Sequence, residues 1–226
     1  MLVAPCAYPE KPTLRAPEVA AAIGRGLERG GLEPPDLCPI AAGGAGTIEV
    51  LLPRLGGETA AGFALLDGGG TAIVEDRERI AAAAASGAEV VVYCAADDPE
   101  DPGDTPVGPT LVALTGAVTP VDAWAAAGAR TVNGATFVLG ELQYTERMLE
   151  ARAVVLGAGA LSRSDLRGLV GEAATRARQN GVPAHAIAGA DRLDLFDRRI
   201  LDLQHVLEAR TLAAIEDAAE RLAALL

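Results

Sequence analysis

Three loops carry residue types that could hold an anion: 6–14, 41–47 and 157–165. In the second, Gly43, Gly44 and Gly46 precede Thr47 and then an amphipathic run. In the third, Gly157 and Gly159 are followed by Arg163 and Asp165. Glycine lets a backbone N–H approach a phosphate or carboxylate closely, and a helix starting just beyond such a loop adds its own free N–H groups. Arg163 and Arg167 could add positive charge in the third loop. The spacing matches no standard nucleotide motif: the dinucleotide fingerprint needs other glycine positions and a later acidic residue, and a P-loop needs Lys before Ser or Thr. A second reading of the same glycines stays open, that they are tight turns letting helices pack closely on strands.

The remaining reactive residue types point elsewhere. Cys6, Cys38 and Cys94 lie far apart with no CxxC pair and no histidine cluster to complete a zinc site, so they read as buried thiols of a reduced compartment. His185 and His205 each fall within an apolar run, where a lone histidine reads as a hydrogen-bonded core residue before it reads as a base. Residues 97–109 pack five acidic side chains and four prolines without an apolar period, which reads as a solvated loop rather than a metal site.

The chain has 226 residues, long enough for a core without disulfide or metal staples, and half of them are apolar. A formal charge of −12 repels phosphate backbones and anionic headgroups, so nucleic acid and membrane surfaces are excluded as partners. No apolar segment reaches the ~20 residues needed to span a bilayer, and no basic stretch leads into an apolar run at the N-terminus, so a cytoplasmic location is expected. Lys11 is the only lysine; every other basic side chain apart from the histidines is arginine.

These loops need strands and helices to position them. Apolar runs predict strands over 2–5, 37–40, 63–66, 71–74, 89–94, 110–114, 130–132, 153–156, 184–188 and 203–206. Between them, amphipathic spacing predicts helices over 16–30, 48–55, 77–86, 120–127, 136–149, 164–180 and 211–225, with Thr47 capping the second. The glycines at 68–70 turn a hairpin. This alternation implies an α/β fold, an open and mostly parallel sheet with helices on both faces, in which ligands bind beyond the carboxyl ends of the strands. One unit over 1–226 is expected, with 1–86 and 151–226 forming the main sheet and 87–150 a reduced middle segment.

At the same three loops the sequence resembles the bacterial two-domain glycerate kinase family. The family's opening Ala-Pro-Asp-Ser-Phe-Lys-Gly-Ser/Thr-Leu is similar to Ala4-Pro5-Cys6-Ala7-Tyr8, two extra residues, and Lys11-Pro12-Thr13-Leu14. Its Ala-Asp-Gly-Gly-Glu-Gly-Thr resembles 41–47, with alanine at 42 and 45 in place of both carboxylates. Its Gly-Glu-Gly-Arg-Leu-Asp-x-Gln-Thr-Leu-x-Gly-Lys resembles 157–169, with Ala158, Ala160, Ser162 and Leu169 replacing Glu, Arg, Asp and Lys. Gly181-Val182-Pro183 leads into the family's strand of small apolar residues. The likeness covers about 1–80 and 128–226.

The resemblance implies ATP-dependent phosphorylation of glycerate with Mg2+, and Lys11 and Thr13 as loop contacts to a phosphate or carboxylate. The lost carboxylates and basic groups leave such chemistry short of magnesium ligands and charge neutralisation. A non-catalytic module that binds a small anion such as glycerate or a protein partner, regulating a true kinase or forming a homodimer, is the alternative on the same fold. A third reading is a different enzyme that uses Lys11, Asp165 or Cys6.

Overall fold

The apolar run after Met1 has no polar residue to turn toward solvent on either face, which suits it to an inner strand of a parallel sheet. The computed structural model describes residues 1–10, 13–97, 102–105, 107, 110–116 and 122–226. These divide into two compact units, Met1–Ile40 with Gln143–Leu226, and Ala41–Leu142. The first unit opens with β1 (Leu2–Pro5), α1 (Ala16–Arg29) and β2 (Asp36–Leu37). The second holds α2 (Thr47–Leu55), β3 (Glu58–Ala60), β4 (Phe63–Leu65), β5 (Thr71–Val74), α3 (Ile80–Ala85), β6 (Val90–Tyr93), β7 (Leu111–Thr115), α4 (Asp122–Ala126), β8 (Arg130–Asn133) and α5 (Gly134–Glu141). The chain then completes the first unit with α6 (Tyr144–Leu149), β9 (Val154–Ala158), α7 (Leu169–Gln179), β10 (Ala184–Ala188), α8 (Leu195–Leu201), β11 (Leu203–Glu208) and α9 (Leu212–Ala223).

The sheet of the first unit runs β11-β10-β9-β1-β2, and every pairing in it is parallel. Val3, Val155 and His185 share one register line, and Leu2, Val154 and Ala184 the line before it. Successive side chains point to opposite faces. Val3, Val155 and Ile187 therefore join a core with α1 and α9, and α7 packs on β9 and β10. Val19, Ile23 and Leu27, four apart, are fully buried along α1. Gly26 and Gly30 bring α1 against α9: a Cβ on Gly26 would lie 2.6 Å from the Ala219 Cβ and nearer still to the Glu216 carbonyl oxygen. Arg29 bridges to Asp217 and Glu220 across this seam, both at 2.6 Å, but such exposed pairs contribute little and the close apolar contact carries the packing. Arg147 of α6 holds β2 by a fork onto Asp36, with Nε–Oδ2 2.8 Å and Nη2–Oδ1 2.6 Å.

The second unit's sheet runs β3-β4-β5-β6-β7-β8. Its first two pairings are antiparallel and the rest parallel. Phe63, Val74, Val91, Ala113 and Trp124 build its core, in which the Tyr93 and Trp124 rings lie 4.9 Å apart at 49°.

The mixed α/β architecture with mostly parallel pairing is the one the sequence predicts, but the strands are shared between two sheets. The strands expected over 63–66 and 71–74 in one main sheet with 153–156 and 184–188 lie instead in the second sheet, where β4 pairs with β5 and β5 with β6. The helix expected over 136–149 is two helices, because Gln143 takes a left-handed conformation at φ 52°. The helix expected over 164–180 begins as a 3-10 turn (Arg163–Arg167) and restarts at Leu169, since Gly168 is extended and its N–H bonds back to the Asp165 carbonyl at 3.1 Å. β2 ends at Leu37, yet the N–H groups of Cys38 and Ile40 still donate to Val3 and Pro5, at 2.8 and 2.9 Å, so the pairing continues where 37–40 was expected. The acidic stretch 97–109 lies largely outside the described residues.

Candidate functional site

In the first unit the loops after β1, β9, β10 and β11 converge at the carboxyl edge of the parallel sheet. The loop after β1 is pinned at its base by two backbone hydrogen bonds between Tyr8 and Leu14, of 2.8 and 3.0 Å. Lys11 lies outside the described residues. Thr13 is exposed, and its hydroxyl donates to the Pro9 carbonyl at 3.4 Å. The Tyr8 hydroxyl donates to the Ile187 carbonyl at 2.6 Å and so ties this loop to β10. Burial pushes that phenol well above its ordinary range. The Cys6 thiol donates to the Gly157 carbonyl at 3.2 Å. Burial, together with Asp165 nearby, pushes the thiol up to about 12, so at neutral pH it is no thiolate nucleophile.

Gly157 and Gly159 explain themselves by packing. A Cβ on Gly157 would lie 2.5 Å from the Pro5 Cβ, and one on Gly159 would meet Glu10 and Pro9. Gly189 repeats the theme, since a Cβ there would collide with the Gly159 carbonyl oxygen. Asp165 closes a capping box: its Oδ2 accepts the Ser162 N–H at 2.8 Å and the Ser162 hydroxyl at 2.7 Å. Arg163 and Arg167 are exposed on the same turn.

Between these loops is a cavity of ≈ 250 Å³ lined by Tyr8, Glu10, Gly159, Gly189, Ala190, Arg192 and Arg210. Of the described residues among those expected to bind a ligand, it contains only Gly159. Arg210 is held in place by its Nε, which donates to the Gly189 carbonyl at 2.7 Å. The neighbouring Asp191 is neutralised by Arg198, at 2.5 Å. Among the described lining residues Glu10 is the one carboxylate, and Arg192 and Arg210 bring two guanidinium groups to the same cavity. Arg192 and Arg210 escape the motif reading because arginine is abundant throughout the chain. Their positions just beyond the strands at 184–188 and 203–206 are where the strand-end rule would have found them.

The loop at 41–47 belongs to the second unit. Gly43 has φ 89° and sits so close to the backbone that a Cβ would lie 2.7 Å from the Gly134 Cα. Gly46, at φ 84°, leads into α2. Thr47 is fully buried and donates its hydroxyl to the Gly44 carbonyl at 2.6 Å. The first helical amide beyond it, Ile48 N–H, donates to Glu75 Oε1 at 2.8 Å. An internal carboxylate therefore stands where an anionic ligand would meet that helix end, and it repels a second anion. Nothing in the local sequence of 41–47 announces Glu75.

Among the described residues, no set of donors is assembled for the magnesium that the resemblance implies. Asp165 and Glu75 are engaged as above, and among the described residues no group of three or more His, Cys, Asp or Glu side chains is placed to hold a metal ion. Nor, among the described residues, is any helix long and apolar enough to cross a membrane.

His185 is 3% exposed, and among the described residues neither ring nitrogen has a hydrogen-bond partner. It stacks on His205 with ring centres 5.3 Å apart. Burial, with His205 beside it, lowers it from 6.5 to about 4, so it is neutral at pH 7 and no proton carrier there. The native state binds this proton less tightly than the unfolded chain does. The resulting stability is fully present above about pH 6.5 and is lost as the pH falls toward 4. Urea unfolding at pH 7 and pH 4.5 should therefore differ by about 2 kcal/mol more in wild type than in His185→Leu. The variant should match wild type at pH 7, because it removes two unpaired buried nitrogens. Equal pH slopes in the two proteins would contradict the assignment.

No protein-family model matches the sequence, and no curated protein matches it. Among solved structures, the chain is similar to one described as the "Crystal structure of putative glycerate kinase 2 from Salmonella typhimurium LT2". The TM-score is 0.69 at 15% identity, covering 99% of this chain and 97% of that one. At that identity the likeness carries the fold, which is glycerate kinase-like.

Proposed function

We propose that this protein binds a small organic anion such as glycerate at the carboxyl edge of its first sheet and does not transfer phosphate. The observation that carries the reading is the cavity in which Arg192 and Arg210 lie with glycine backbone among four converging loops. Guanidinium groups pair with a carboxylate through two parallel hydrogen bonds, and a partly enclosed site screens that attraction less than open water does.

The kinase reading has support from the fold alone. Its sequence pattern has alanine at 42, 45, 158 and 160, serine at 162 and leucine at 169. Loss of single groups acting on a transition state commonly costs ~10² to 10³ in rate. ATP and Mg2+ are accordingly not part of the proposed function. Mixed with Mg-ATP and D-glycerate or other hydroxy acids, the purified protein should release ADP no faster than the buffer control. Turnover near ~1 s⁻¹, the low end for kinases, would overturn the non-catalytic half of this reading.

A further inference from the structure

The cavity is not uniformly basic, and its asymmetry says what it selects. Among the described lining residues two guanidinium groups, Arg192 and Arg210, share it with one carboxylate, Glu10. The Glu10 carboxylate lies next to the Gly159 backbone, where only the missing side chain leaves it room. The Tyr8 hydroxyl is engaged with the Ile187 carbonyl, which leaves its ring as an apolar wall. At ≈ 250 Å³ the space is enough for a small metabolite.

A purely anionic ligand gains the two arginines but meets repulsion from Glu10. A ligand carrying a carboxylate at one end and an ammonium group at the other satisfies all three charges. We infer that the ligand is amphoteric, a free α-amino acid of about the size of serine, with its carboxylate on Arg192 and Arg210 and its ammonium on Glu10. This rests on the anion-binding reading above and adds the identity of the second charge. The charged hydrogen bonds at both ends are the stronger kind, and the wrong charge at either end leaves one of the cavity's own groups unpaired.

Serine and glycerate test this directly, because they differ only by an ammonium group in place of the 2-hydroxyl. In calorimetric titrations of the full chain at low salt, one enantiomer of serine should bind at least ~10-fold more tightly than either enantiomer of glycerate. Glu10→Gln should weaken serine by a similar factor and tighten glycerate, erasing or reversing the preference. Serine no tighter than glycerate in wild type, or a preference that survives in Glu10→Gln, overturns the amphoteric ligand while leaving anion binding standing. No heat with any of the four ligands overturns both.

Discussion

Gly26→Val should destabilise the protein by about 3 kcal/mol, the upper end of what overpacking a close contact usually costs. The Cβ of any side chain at 26 would fall 2.6 Å from the Ala219 Cβ and nearer still to the Glu216 carbonyl oxygen. Neither neighbour can swing aside, because one is a methyl on α9 and the other is its backbone. The two helices would have to separate, and the buried apolar seam of Val19, Ile23, Leu27, Ile215, Ala218 and Leu222 would open with them. Gly140→Ala supplies the contrast: that glycine is helical with nothing within 4 Å of its Cβ position, so alanine there should be neutral or stabilising by up to about 1 kcal/mol. Urea denaturation of both variants reads the difference, and equal midpoints would refute the close crossing.

Much of this fold is legible in the sequence where one periodicity runs uninterrupted. The four-residue spacing of Val19, Ile23 and Leu27 announces α1, and the β-branched run before Tyr93 announces a strand covered on both faces. What escapes is decided by single residues or by distant partners. Gln143 breaks one helix although its type carries no stop signal, and in another the extended Gly168 ends the 3-10 turn that the capping box of Ser162 and Asp165 opens. The allotment of strands to two sheets depends on which edges pair, and local pattern does not encode that.

The site divides in the same way. Strand-end loops could be located from the alternation of elements, and the first and third do border the cavity or its neighbouring turns. The side chains lining it are another matter. Thr47, Gly157 and Asp165, chosen for their motif positions, are each accounted for by local packing or capping. Arg192 and Arg210 belong to no motif and become a pair only when β10 and β11 lie side by side. Glu75 likewise meets α2 across 27 positions of chain.

Binding of D-glycerate to wild type and to an Arg192→Ala, Arg210→Ala double variant tests the central claim most directly. Each arginine removed takes away charge-assisted hydrogen bonds worth about 1.5–3 kcal/mol, so losing both should weaken binding by ~100-fold or more. Raising the salt concentration should weaken wild type and leave the residual binding of the variant nearly unchanged. The unfolding midpoint checks that the variant is folded, since Arg210 also donates to the Gly189 carbonyl. The account predicts saturable, salt-sensitive heat in wild type and its loss in the folded variant. Wild-type affinity retained by the folded double variant would contradict it.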